Sequence, residues 1–340
     1  MAQYPSQLGR LAHVEQSKER PQCTEGQATL PRLAIGIASA GRAETLAATV
    51  AYLLSPAMPD IPIIVCVPVL DHAAGLAACD RVQLLTGPSG LTRQRNAILS
   101  ACADKADLVL FFDDDFVPHP QFAARMQQAF AADPDIAIAT GRVIADGILG
   151  SAIGLAEAVS RLDTSEPQAA SGTVRDIYNA YGCNMAVKIA TARDHGIRFD
   201  ESLPLYGWLE DVDFSRALAR HGRCVEVPGA LGVHLGVRSG RQPGRRLGYS
   251  QVANPWRMMR KGTLSPLRGF RQIGRNITAN FIGTLFKTTE VDRRGRFLGN
   301  LMAMGDLLRR RLDPARILEI DLQPSARSPI PSPATQGSRP

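Results

Sequence analysis

Three carboxylates stand side by side in "FFDDDFVP" (Phe111 to Pro118), directly behind an apolar run. Asp113, Asp114 and Asp115 would repel one another unless a cation neutralised them. Mg²⁺ or Mn²⁺ takes oxygen ligands, often one or two carboxylates plus substrate phosphates. In an extended turn Asp113 and Asp115 can both point toward one such ion. The competing use is an acidic cap for the helix that begins near His119. A second acidic group, Glu210 and Asp211 in "LEDVDF", opens a helical pattern far downstream. A carboxylate within reach of a hydroxyl can act as its general base, whereas acids in a first helical turn also complement the helix dipole, which suits Asp213. His234 in "GVHLGVRSGR" offers imidazole, a ligand for Mn²⁺ as well as zinc, and Arg238 and Arg241 after it can clamp phosphates.

The elements that must position these groups alternate along the first half of the chain. "LAIGIAS" is a strand pattern, followed by a turn at Gly41 and the helical pattern "AETLAATVAYLL". Then come "IPIIVCV", "VQLLTG", the helix "TRQRNAILSACA", and "ADLVLFFDDD". Repeated strand, loop and helix units predict an α/β fold, a mostly parallel sheet with helices on both faces. Ligands of such sheets bind beyond the carboxyl ends of the strands, which puts the three Asp at the functional edge.

Bulk properties exclude several classes. With 340 residues and 45% hydrophobic content the chain can bury a sizeable core. Six scattered cysteines without a C-x-x-C pair suit reduced thiols in a cytoplasmic protein better than a disulfide frame or a zinc site. The N-terminal stretch lacks the basic start and apolar run of a signal peptide, and residues 1–30 read as a loose polar arm. No segment reaches the roughly 18 uninterrupted apolar residues of a spanning helix. The net charge of +7 is uneven: Val227 to Thr289 holds eleven Lys or Arg and no acid, which leaves −4 for the rest. Such a surface attracts phosphates, whether of a nucleotide, a nucleic acid or an anionic bilayer. Residues 323–340, rich in Pro and Ser, read as a disordered tail.

The series "IASAGR", "GPSGLTRQRN", "LFFDDDFVP", "YGCNMAV" and "FDESLPLYGWLEDVDFSRALARHG" resembles, in this order, the family 2 glycosyltransferases with the GT-A fold, from about Leu33 to His234. The resemblance implies transfer of a sugar from a nucleotide-diphosphate donor to an acceptor hydroxyl, with inversion at the anomeric carbon and a Mg²⁺ or Mn²⁺ cofactor. It implies Asp211 as general base with Glu210 beside it, and Ser39, Arg42, Arg95, Asn96, Asp113 and Asp114 around the nucleotide. It puts Asn184 and Trp208 on the acceptor side. "VPVLDHAAGL" departs from the family's acidic, Ser-rich turn after the second strand, with Asp71 the acid at that place.

Expected domains are therefore a catalytic unit over 31–236 and a basic helical extension over 237–322. The extension interleaves Trp256, Met258, Phe270, Phe281 and Phe286 with basic residues, and "FLGNLMAMGDLLRRR" places Phe297, Leu301, Met304 and Leu308 on one helical face. Basic and apolar groups mixed in this way suit helices lying on an anionic membrane surface. Similar tails occur in bacterial glycosyltransferases that build exopolysaccharide on lipid carriers, which implies a lipid-linked saccharide acceptor and a peripheral place on the inner face of the cell membrane. Two rival readings are weaker. "DDDFV" also fits an aspartyl-phosphate phosphohydrolase with Asp113 as nucleophile, but three strand-helix units precede it. A nucleic-acid-binding basic module lacks a reading motif, and no nucleic-acid partner is expected.

Overall fold

The computed structural model describes residues 30–148, 150–165, 174–237, 243–286 and 291–320. Residues 1–29 of the expected N-terminal arm and the expected C-terminal tail, together with Arg238 and Arg241, lie outside the described residues.

The strands are β1 (Leu33–Ala38), β2 (Ile63–Val67), β3 (Val82–Thr86), β4 (Leu108–Asp113), β5 (Phe116–Pro118), β6 (Ile136–Asp146), β7 (Arg175–Asp176), β8 (Asn184–Lys188) and β9 (Arg223–His234). They form one sheet in the order β3-β2-β1-β4-β8-β6-β9-β5, with β7 also paired to β9. The strands β3, β2, β1, β4, β6 and β9 run one way, and β8, β5 and β7 run against them. This is a mixed α/β architecture with a mostly parallel central sheet flanked by helices. The central strands are near-continuous apolar runs because both of their faces are covered.

One face packs against α1 (Ala43–Leu53) and α3 (Phe122–Ala132) through Leu46, Val50, Leu53, Phe122 and Met126. The other packs against α2 (Leu91–Cys102), α5 (Ile189–Asp194) and α6 (Glu210–Leu218) through Ile98, Ile189, Phe214 and Leu218. α4 (Leu155–Asp163) lies against β9 and β5. At Gly36 in β1 an added Cβ would lie 2.5 Å from the Ile98 side chain, so glycine lets α2 sit close on the sheet. That approach matters because α2 carries Arg95.

After the sheet come α7 (Gly244–Lys261), α8 (Pro266–Leu285) and α9 (Arg293–Leu308), which share a core of Tyr249, Val252, Ala253, Ile273 and Ala303. The face by which α9 packs is distinct from its row of large apolar residues. Leu301 and Leu308 are exposed, and the covered face is Gly299, Asn300, Ala303 and Asp306. The reason is backbone proximity: a Cβ on Gly299 would lie 2.1 Å from the carbonyl oxygen of Arg245, so α9 meets α7 through its small residues. Buried Asn300 is satisfied by the Gly248 carbonyl at 2.7 Å and by Asn280 at 2.9 Å. Among the described residues no helix is long and apolar enough to cross a membrane.

Candidate active site

Parallel strands of similar register end together, and their last residues therefore meet at one edge. Asp113 ends β4, and Asp146 and His234 end β6 and β9, where they are register partners. The β5–β9 pairing sets Phe116 opposite His234 and so brings Asp115 beside the imidazole. One ligand atom each from Asp113, Asp115 and His234 lie within 4.8 Å of one another. Two carboxylates and an imidazole are a fitting donor set for Mn²⁺ or Mg²⁺. Behind this trio, Asp146 Oδ1 lies 3.2 Å from His234 Nδ1, and Asp146 Oδ2 accepts a hydrogen bond from the Tyr181 hydroxyl at 3.0 Å. A carboxylate on the far ring nitrogen fixes the imidazole's orientation and leaves Nε2 facing Asp115 at 3.4 Å. Burial works to lower the His234 pKa, but the hydrogen bonds with Asp115 and Asp146 outweigh it and raise the value to about 10.

The three adjacent Asp have different environments because the chain turns at Asp114 and Asp115, between β4 and β5, and sends their side chains to different neighbours. Asp114 points away from its neighbours and is fully buried, accepting hydrogen bonds from Ser39 Oγ and from Arg42 Nε, the latter at 3.1 Å, while Thr49 Oγ1 donates to its carbonyl at 2.6 Å. Burial pushes its carboxyl up to about 7, against the opposing pull of Arg42. Asp114, expected by the nucleotide, thus ties the β4–β5 turn to the end of β1 and to α1. Ser39 is buried in the same contact, whereas Arg42 is part-exposed and also reaches Asp115 at 3.5 Å. Asp115 Oδ2 accepts the Val237 N–H at 2.9 Å.

The resemblance places Arg95 and Asn96 beside base and ribose, but both are buried and occupied by protein. Arg95 Nη2 donates to Asp113 Oδ1 at 2.9 Å and to the Gly182 carbonyl at 2.8 Å, and its Nη1 pairs with Glu210. The guanidinium lies near the rings of Phe111 and Phe199. Asn96 fastens the segment ahead of α6, donating to Phe199 O at 3.0 Å and to Glu201 at 2.8 Å and accepting from Phe199 N–H at 2.9 Å. Asn184, expected on the acceptor side, is likewise fully buried, held by Thr140 and the Gly141 carbonyl at the start of β8. Asp71 is exposed in the 3-10 turn Leu70–Ala73 beyond the end of β2.

Glu210 and Asp211 open α6, whose preceding residue Leu209 has a left-handed backbone. Glu210 is buried against Arg95; burial drives its pKa well up, and Arg95 opposes this. Asp211 is half-buried, with Oδ2 accepting the Gly182 N–H at 3.1 Å and Oδ1 the Val212 N–H at 2.8 Å. Burial raises its pKa too, and the two backbone N–H groups limit the rise. Trp208 is half-buried three residues ahead of Asp211. Sequence reasoning missed Asp146, Tyr181 and Gly182. The signal for Asp146 was present, since "AIATGRVIAD" ends an apolar strand on an acid just as β4 does.

Residues 69–176 match the family model "Glycosyl transferase family 2". Among curated proteins none matches the chain. Solved structures similar to it include GalNAc-T7 with UDP, GalNAc and Mn²⁺, at 15% identity and a TM-score of 0.48 over 74% of this chain and 58% of that one. TarS of S. aureus is similar at 12% identity and a TM-score of 0.44 over 76% of this chain and 44% of that one. The mannosyltransferase PcManGT from Pyrobaculum calidifontis, in complex with GDP-Man and Mn²⁺, is similar at 12% identity and 0.45 over 85% of each chain. The chain thus spans less than two thirds of the first two. The segment that matches the family 2 glycosyltransferase model is the one that runs through β3, α2 and the Asp113–Asp115 turn.

Proposed function

We propose that the protein is an inverting glycosyltransferase, moving a sugar from a nucleotide-diphosphate donor to an acceptor hydroxyl. The observation that carries this reading is the meeting of the Asp113, Asp115 and His234 cluster with Asp211, a carboxylate of raised pKa, the two linked through Arg95 and Gly182. Asp113, Asp115 and His234 would hold Mg²⁺ or Mn²⁺, which when bound offsets the charge of a departing diphosphate. Asp211 takes the proton of the acceptor hydroxyl as its oxygen bonds to the anomeric carbon and the bond to the nucleoside diphosphate breaks. Arg42 lies at the rim of the cation site, where its exposed part can meet a phosphate. The aspartyl-phosphate alternative needs Asp113 as a free nucleophile, and the Arg95 contact disfavours it. Calorimetry with UDP-, GDP- and dTDP-sugars in Mn²⁺ tests the proposal: one donor class is expected to bind, and binding by none would overturn it.

The acceptor we propose is a lipid-linked saccharide, as in assembly of bacterial surface polysaccharide, reached by peripheral attachment to the membrane. The support is α8, which exposes Leu267, Phe270, Phe281, Ile282 and Leu285 beside exposed Arg271 and Arg275 and contains no acidic residue. A second copy of so basic a face would meet it with like charge, whereas an anionic bilayer offers both opposite charge and an apolar layer. Two basic residues of the extension have other partners: Arg257 and Lys261 pair with Asp200, at 3.2 and 3.4 Å. The protein is expected to sediment with phosphatidylserine vesicles and not with neutral ones, and to be released by high salt. Replacing Leu267, Phe270, Phe281 and Leu285 with Ser should abolish sedimentation without changing donor affinity. Sedimentation equal to that of the parent would sink this role for α8.

A further inference from the structure

The stretch leading into α6 has an uncommon backbone. Leu205 (φ 58°) and Leu209 (φ 72°) are both left-handed without being glycine, with Gly207 (φ 61°) between them. Such residues persist only where their surroundings impose the conformation, and they cluster at functional sites. Here the impositions come from two elements. From α2, the Leu91 N–H donates to the Leu205 carbonyl at 2.8 Å and Thr92 Oγ1 to the Leu203 carbonyl at 3.2 Å. From α7, Asn254 Nδ2 donates to the Trp208 carbonyl at 2.8 Å, and Lys261 Nζ pairs with Asp213.

Of the two α7 groups, Lys261 also reaches Asp200 at 3.4 Å, whereas Asn254 is committed to this one contact. Asn254 is buried, and its Oδ1 has no hydrogen-bond partner among the described residues, so the Trp208 carbonyl is the contact that offsets the amide's burial. Asp213 is fully buried on α6, and its other oxygen is held by Thr263, which follows α7. The pinned points, Trp208 and Asp213, bracket Asp211 within about one and a half helical turns. A displacement of about 1 Å at a reacting group can cost on the order of 10²-fold in rate.

We propose that Asn254 and Lys261 are positioning residues, through which the C-terminal helical unit holds the strained entry to α6 and so fixes where the Asp211 carboxylate sits. The inference rests on the reading of Asp211 as the base. It makes α7 a working part of the site, although it lies outside both the sheet and the stretch matching the family model.

The test is steady-state turnover of Asn254→Ala, Lys261→Met and Lys261→Arg, with donor affinity measured by calorimetry and folding checked by thermal denaturation. Asn254→Ala and Lys261→Met are expected to lose roughly 10- to 100-fold in kcat. Donor affinity should stay within twofold of the parent's, and Lys261→Arg should recover most of the rate. Asp211→Asn, assayed in parallel, separates the two ideas. If it keeps its turnover, the base assignment fails and the inference with it. If it loses turnover while both α7 variants keep the parental kcat, the base stands and the positioning role is overturned. Loss of donor affinity and melting temperature together with kcat, unrecovered in Lys261→Arg, would mark general destabilisation and also overturn it.

Discussion

Asp211→Asn is expected to lower turnover by about 10² to 10⁴ and to leave donor affinity nearly unchanged. The substitution preserves shape, and an amide oxygen can still accept the Gly182 N–H that now binds Oδ2 at 3.1 Å. What disappears is a carboxylate able to hold the acceptor's proton. Partial burial makes Asp211 more basic than an exposed Asp, the direction a base for a hydroxyl needs. Glu210 is the competitor on sequence grounds, but its carboxylate is committed to Arg95, so Glu210→Gln should disturb Arg95 and Asp113 before any proton transfer. Steady-state kinetics with a saturating donor decides the matter. A variant retaining most of its turnover would move the base elsewhere.

The second large effect concerns the cation. Chelation by EDTA is expected to abolish donor binding, and Asp115→Asn to weaken it at least tenfold, about 1.4 kcal/mol, with the fold retained. The sheet supports the variant, since Asp115 lies in a turn whose backbone is also held by Asp114 and by the Leu235 N–H on its carbonyl at 2.8 Å. The pH dependence has a definite sign. Without a cation the carboxylates of Asp115 and Asp146 overcome burial and keep His234 protonated up to about pH 10. A cation held in part by the His234 imidazole would displace that proton, so Mn²⁺ affinity should rise with pH across the neutral range and binding should release a proton. Calorimetry in buffers of different ionisation enthalpy counts that proton. Nucleotide affinity undiminished in EDTA would remove the cation from the scheme.

Much of this site was legible because strand ends are legible. An apolar run that stops on an acid marks a carboxyl edge, and that reasoning located Asp113 and Asp115 directly. The separate fate of Asp114 was not legible, because it depends on the turn between β4 and β5 and on buried partners 72 and 75 positions away. Arg95 and Asn96 were harder. In "TRQRNAIL" nothing local distinguishes the exposed Arg93 from the buried Arg95, since what buries Arg95 is the arrival of Glu210 and Phe199 from more than a hundred positions away. The packing of α9 was illegible for a related reason: hydrophobic periodicity marks where apolar side chains line up, whereas two helices in backbone contact select small residues. The charge of the extension was visible in composition, but Arg257 and Lys261 could be told from Arg271 and Arg275 only once Asp200 and Asp213 were in place.

Arg95 makes the two ends of the site a single thermodynamic object. Its guanidinium is shared between Asp113, a proposed cation ligand, and Glu210, which adjoins the proposed base, while Gly182 accepts from it through its carbonyl and donates its N–H to Asp211. A cation and diphosphate that draw on the charge of Asp113 change what remains to hold Glu210. An acceptor that settles against α6 is felt at Asp113 in return. Linkage makes this exchange symmetric: whatever factor the donor adds to acceptor affinity, the acceptor must add to donor affinity. On the proposed function, neither half of the substrate pair is read independently, and a protein loaded at one end is already altered at the other.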